Sequence, residues 1–432
     1  MRRRLGVFAR APALTAEHAP FNVVVVLRLA GSPDPEILGR ALEILATRHS
    51  LLRARIRGKI GRWRFETAAG AVPLQVVDRR GDDDWQPVAE KELETKVEAA
   101  GPLWRCVYLR SADGGRGELV LRFHHAIVDA TSGVHLCAEL LALCAAIAER
   151  GADEAPAEAG SQPEDWVEPR FPPAFRDLRR LRSLASFLGR QMADEVSFRW
   201  RSRRGRKPPI HPGARSRVLT FEIPGEIASR LARQARRRRL TLASALQAGL
   251  LLAVSRRLYG GRPQPLRSFT FPNLRPYLRP PVPAERLGGY FAVVRFTVAV
   301  DGGRDFWQLA REINERIHAA NRRGEKYAAA FLSYRTMRLM LRRPTMRMGT
   351  AALSYTGVAR LERAYGAIEV LSLHAFVTST FLGPELAAQA RLWDGRLWWD
   401  AVYLDADMDR ETAQGIAEEI QTILNRAARE EE

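Results

Sequence analysis

The stretch LVLRFHHAIVDATSGVHL, residues 119–136, decides how this chain is read. A run with strand-like alternation reaches two adjacent histidines, His124 and His125, in a chain that has only 8. Asp129 follows four residues after the second histidine, and from Gly133 the apolar residues take helical spacing until a glycine stop at Gly151. The arrangement is strand, histidine pair, short loop, helix. Three kinds of chemistry compete for it. A metal site would use His124, His125, Asp129 and His135. Neighbouring strand residues point to opposite faces, however, and neither a His-x3-His helix pattern nor a second cysteine or histidine cluster accompanies them. A serine or cysteine nucleophile is disfavoured because there is no G-x-S-x-G elbow, and Cys106, Cys137 and Cys144 sit in apolar surroundings that read as core. The third reading is a histidine general base without a protein nucleophile. It would take the proton of an acceptor hydroxyl or amine, which then attacks an acyl thioester directly.

Working outward, the 432 residues exceed one ordinary core and suggest two to three domains. The composition, 46% hydrophobic and 27% charged, supports a packed core and argues against whole-chain disorder. No uninterrupted apolar run approaches a membrane span, and the basic N-terminus lacks the apolar segment of a signal peptide. Three cysteines argue against a disulfide framework and fit a reducing, cytoplasmic setting. The net charge of +19 is carried largely by arginine, with clusters at 199–207 and 236–239. It suits an acidic partner, a phosphate-bearing molecule or peripheral contact with an anionic membrane, and equally the solvated faces of an arginine-rich chain. Nucleic acid is disfavoured, because the basic runs carry no interleaved aromatics and no recognisable binding module.

Strands are expected at 22–31, 52–57, 103–110 and 117–125, with a helix from Pro35 capped by Asp34. Residues 151–165 are small, acidic and proline-containing and read as a linker, followed by a basic helical connector over 175–200. A second strand-and-helix lobe begins near 216. Thr241 caps a helix there that is apolar on most faces, Asp394-Gly395 sets a hairpin, and a helix over 410–429 closes the chain. The expected organisation is therefore a lobe at 1–165, a connector at 166–215 and a lobe at 216–432, mixed α/β in class.

HHAIVDA followed by Ser132 resembles the HHxxxDG signature of the chloramphenicol-acetyltransferase-like superfamily, which includes condensation domains of nonribosomal peptide synthetases, lipid- and polyketide-esterifying acyltransferases and plant alcohol acyltransferases. The similarity extends to NVVVVLRLAGSPDPEILGRALEILATRHSLLRARI, and to LTLASALQAGLLLAVSRRLYG, FPNLRPYL, LGGYFAVV and LSYTG in their expected order. The Asp-Phe-Gly-Trp-Gly motif of the plant enzymes is absent, which favours the bacterial condensation-like branch.

The resemblance implies two similar α/β lobes set as a V with a tunnel at their interface, and His125 projecting into it as the base. His124 would support the motif, and Asp129 would pair with an arginine for which Arg275 is the best match. Ser132, Ser354 and Thr356 are candidates for the tunnel or for oxyanion donation. The implied activity is that of a freestanding, monomeric acyltransferase. Its donor would be a phosphopantetheine thioester, on coenzyme A or on an acyl or peptidyl carrier protein; its acceptor a small molecule; and it would need no metal or resident cofactor. Ala130 departs from the usual glycine, and a position demanding positive φ would make alanine costly. That departure keeps alive an alternative: a catalytically silent condensation-like module that binds carrier proteins or other partners.

Overall fold

The structure is a computed structural model that describes residues 2–67, 70, 72–150, 169–201, 213–342, 347–379 and 383–430. The linker expected at 151–165 lies outside the described residues. Two compact units are formed, each mixed α/β.

The first unit is built on a six-stranded sheet in the order Ala364–Tyr365, Ile368–Val377, Asn22–Ala30, Arg116–His124, Trp104–Arg110, Leu74–Asp78. All neighbours are antiparallel except the last pair. The run Val23–Leu27 is apolar at every position because the strand is buried on both faces. Trp104–Arg110 and Arg116–His124 form the expected hairpin, its turn helped by Gly114 in a left-handed conformation. Arg64–Thr67 pairs with Ala54–Arg57 and with Arg2–Arg4 in a small separate sheet. The helix Ala130–Arg150 is long and apolar enough to cross a membrane by length and composition, so apolarity here is greater than uninterrupted runs reveal. It packs on the helix Pro35–Arg48 as a core element, with Leu136, Cys137, Leu140, Leu141 and Cys144 buried.

The second unit carries a six-stranded sheet in the order Val294–Val300, Gln264–Thr270, Ala351–Val358, Leu386–Trp393, Arg396–Leu404, Ser216–Ile223. Alternate residues of these strands, such as Leu353, Ala388 and Trp399, pack with the helices Gly225–Arg237, Leu242–Tyr259, Phe306–Arg322 and Arg410–Arg429 into one core. Leu242–Tyr259 is buried nearly all round; Thr241 Oγ1 caps it by accepting from the Ser244 N–H at 3.2 Å, and Gly260 closes it in the left-handed region.

The units do not follow the expected boundaries at 165 and 216. Residues 280–290 and 359–378 fold into the first unit, while the described residues of 171–279, 291–358 and 379–432, including the connector helix Asp177–Arg201, belong to the second. The physical reason is strand pairing. Asn22–Ala30 needs a neighbour at each edge, and Ile368–Val377 supplies one, running from Val377 opposite Val23 to Glu369 opposite Ala30.

Candidate functional site

The histidine pair stands where the motif strand runs out of ladder. His124 is the last residue of the strand and lies opposite Asn22, while the His125 N–H donates to the Phe21 carbonyl at 3.1 Å. The two rings then diverge, as alternation requires. His124 Nδ1 accepts the Ala126 N–H at 3.0 Å, so the neutral ring carries its proton on Nε2. Burial, reinforced by His125 alongside, drops the His124 pKa to about 4. His124 borders a cleft of about 100 Å³ with Ala13, Ile56, Lys96, Val97 and Ala99.

His125 has the opposite tautomer. Its Nδ1 lies 3.0 Å from the Val128 carbonyl, which can only accept, so the proton sits on Nδ1 and Nε2 carries the lone pair. The Phe21 ring leans on it with centroids 4.9 Å apart. Burial pushes its pKa below the ordinary histidine value, against the opposing pull of the Val128 bond and of Asp129. The ring is therefore neutral at neutral pH and presents an acceptor nitrogen.

Asp129 shapes the loop. Its Oδ1 accepts from the Ser132 backbone N–H at 2.9 Å and from the Ser132 hydroxyl at 2.8 Å, and its carbonyl takes the Gly133 N–H at 2.8 Å. This caps the N-terminus of Ala130–Arg150, where a negative charge also suits the helix dipole. Oδ2 accepts the Tyr290 N–H at 3.0 Å and so holds the inserted segment 280–290. Tyr290 is approached closely by Gly288, at φ +137, where a Cβ would come within 2.6 Å of the Tyr290 ring. Ala130 is the first helical residue and has no positive φ, so alanine suits the position better than glycine would. Ser132 is fully buried with its hydroxyl proton engaged by Asp129, which corrects its reading as an oxyanion donor.

The remaining sequence candidates lie in the second unit. Arg275 opens a 3₁₀ turn over Arg275–Tyr277, is buried, and has its backbone N–H on Asn273 Oδ1 at 3.0 Å. Ser354 and Thr356 lie on Ala351–Val358, where the register shifts between Tyr355 and Val358, and the Thr356 hydroxyl donates to the Ala390 carbonyl at 3.4 Å. All three cysteines are buried thiols; burial raises Cys137 and Cys144 to about 12 and Cys106 further, which leaves them protonated. Among the described residues no group of three His, Cys, Asp or Glu side chains is placed to hold a metal ion.

Several supporting residues went unnoticed in the sequence. Asn22 donates its side-chain amide to the carbonyls of Glu92 and Thr95, at 2.9 and 2.8 Å, tying the end of helix Trp85–Glu94 beside the motif strand. Thr378 Oγ1 accepts the Asn22 N–H at 3.1 Å. Arg48 and His49, from the RHSLLR phrase, both grip Glu139 on the motif helix at 2.8 Å. Burial alone would raise the Glu139 pKa, but the bonds from His49 and Arg48 outweigh it and the net shift is downward. The spacing Asp129-x-x-Ser132 was the available signal for the cap.

A separate feature lies on the second unit. Arg230, Arg233 and Arg237 from helix Gly225–Arg237 and Arg429 from helix Arg410–Arg429 line a cleft of about 310 Å³. Arg233, Arg237 and Arg429 have no acidic partner among the described residues.

Comparison with known proteins agrees with this geometry. Residues 11–168 match the condensation domain family, and residues 213–397 match the family described as phthiocerol/phthiodiolone dimycocerosyl transferase C-terminus. No curated protein matches the sequence. Solved structures with the same fold include the trichothecene 15-O-acetyltransferase from Fusarium sporotrichioides, 12% identical over 99% of this chain and 96% of that one, with a TM-score of 0.77. The first condensation domain of the CDA synthetase is 16% identical, covering 99% and 96%, at a TM-score of 0.69. Polyketide synthase associated protein 5 from Mycobacterium tuberculosis is 16% identical, covering 99% and 98%, at 0.68. The first part of the chain thus matches the condensation domain family and the second an acyltransferase C-terminus, and over its whole length the chain has the fold of condensation domains and of an O-acetyltransferase.

Proposed function

We propose that this protein is an acyltransferase in which His125 is the general base. Nε2 of His125 takes the proton of an acceptor hydroxyl or amine as the oxygen or nitrogen attacks the carbonyl carbon of a phosphopantetheine thioester. The tetrahedral oxyanion collapses with cleavage of the carbon–sulfur bond, and the proton on Nε2 passes to the departing thiolate. The products are an ester or amide and a free thiol. The observation that carries this reading is the Val128 carbonyl on His125 Nδ1, because it fixes the tautomer whose Nε2 is basic. The depressed pKa supports it by keeping the ring unprotonated where the reaction runs. Asp129 is the positioning residue, with Arg275 as its proposed counter-charge, and Ser354 and Thr356 as the proposed lining near the reacting carbonyl.

The arginine cleft favours an anionic donor, coenzyme A with its phosphates or an acidic carrier protein. The silent-module alternative loses its main support, since Ala130 occupies a helical position and strains nothing. The deciding experiment is a thioester-dependent acylation assay of wild type and His125→Ala with coenzyme A and carrier-bound donors. Turnover by wild type that collapses in the variant supports the proposal; turnover unchanged in the variant removes His125 as the base.

A further inference from the structure

The connector helix Asp177–Arg201 uses one face for its own unit. Phe187 is buried, Asp194 and Glu195 pair with Arg267 at 3.1 and 2.9 Å, and Arg190 holds Glu325 at 2.8 Å. The other face is apolar and open. Leu178, Leu181, Leu188, Met192, Val196 and Trp200 are 72%, 58%, 47%, 68%, 69% and 71% exposed. At 100° per residue these six fall within an arc of about 120° that runs the length of the helix. Exposed apolar residues scattered singly are ordinary, whereas a continuous stripe marks a contact surface.

The rim of the stripe is basic. Arg179 and Arg182 are exposed with no acidic partner among the described residues, and Arg199, paired with Glu195 at 2.8 Å, stands within the stripe near its end. Asp194 pairs with Arg267, and Glu195 is shared among Arg267, Arg295 and Arg199. We propose that this helix docks the protein on an anionic lipid surface, with the apolar stripe in the headgroup–acyl boundary and the arginines on lipid phosphates. Charge decides the occupant: two copies of the stripe face to face would bring two basic rims together in a chain of net charge +19, whereas an anionic bilayer complements them. The inference is independent of the acyl-transfer reading.

The test is co-sedimentation of the full chain with vesicles of phosphatidylglycerol and phosphatidylcholine, against phosphatidylcholine alone. Wild type is expected to bind the anionic vesicles, less at raised salt, and Leu181→Asp combined with Met192→Asp should weaken binding by at least about 10-fold. Arg179→Gln combined with Arg182→Gln should weaken it several-fold while leaving the stripe intact. Circular dichroism and melting of each variant check the fold, as these side chains are exposed. No binding by wild type, or undiminished binding by a folded aspartate variant, overturns the proposal. So does a wild-type dimer that the aspartate variant converts to monomer, which would assign the stripe to a second copy.

Discussion

The Nδ1–H of His125 donates to the backbone carbonyl of Val128, three residues on, at 3.0 Å. The loop therefore sets the tautomer of the histidine proposed as the base. His125→Ala is expected to lower kcat by roughly 10²–10⁴-fold, and to cost about 1–3 kcal/mol in stability because the Val128 carbonyl loses its buried partner. The acidic limb of kcat/KM in wild type should fall below the ordinary histidine value of about 6.5, since burial depresses the folded pKa. A limb above that value would contradict the burial argument.

Asp129 closes the loop on both sides, through Ser132 and through Tyr290. Asp129→Ala should cost about 2 kcal/mol in chemical denaturation and reduce soluble yield. A double-mutant cycle with Arg275→Ala measures the proposed pairing; a coupling near zero would separate the two residues.

Ala130 is expected to be better than the glycine of the family signature. Ala130→Gly should lose about 1 kcal/mol of stability, because glycine in the first helical turn gives up more backbone freedom, and should leave kcat unchanged. A gain in kcat would reveal a demand on that backbone that its helical conformation does not express.

Glu139 clamps the motif helix to Arg48 and His49. Glu139→Gln should destabilise the protein by about 2 kcal/mol at neutral pH. The folded pKa of Glu139 is depressed, so its contribution is full above the unfolded carboxylate value of about 4.3 and is lost as pH falls through the lower folded value. The melting-temperature gap between wild type and variant should accordingly narrow in acid.

Arg233→Glu combined with Arg237→Glu should raise KM for the thioester donor about 10-fold with kcat preserved, and the effect should fade as salt rises. An effect on kcat alone would move the cleft out of donor binding.

Much of the site was legible because it is local. The strand-to-helix change of period around His124 and His125, the Asp34 cap on Glu36 and the Thr241 cap all lie within a few residues of their partners. What stayed hidden depends on distant pairing. Ile368–Val377 reads as a strand from its own residues, yet nothing in it names the sheet it joins; only the unpaired edge of Asn22–Ala30 does. The Tyr290 contact to Asp129 spans 161 residues and uses a backbone N–H, which no side-chain pattern encodes. Asn22 reads as a strand-flanking polar residue, because the carbonyls it collects belong to a helix end some 70 residues on. Ser132 was misassigned for a simpler reason: its partner sits three residues away, and a hydroxyl after a catalytic motif invites a chemical reading before a capping one.

The insertion of Ile368–Val377 beside Asn22–Ala30 has a consequence for biosynthesis. During translation the early strand must wait, with its edge amides open, until residue 377 has left the ribosome. Contacts of such sequence separation slow folding and expose nascent chains to edge-to-edge association. A gene fragment ending near residue 170 would therefore yield an aggregating polypeptide instead of a free-standing lobe, and co-expression of the missing piece, more than any change of buffer, is what would rescue it.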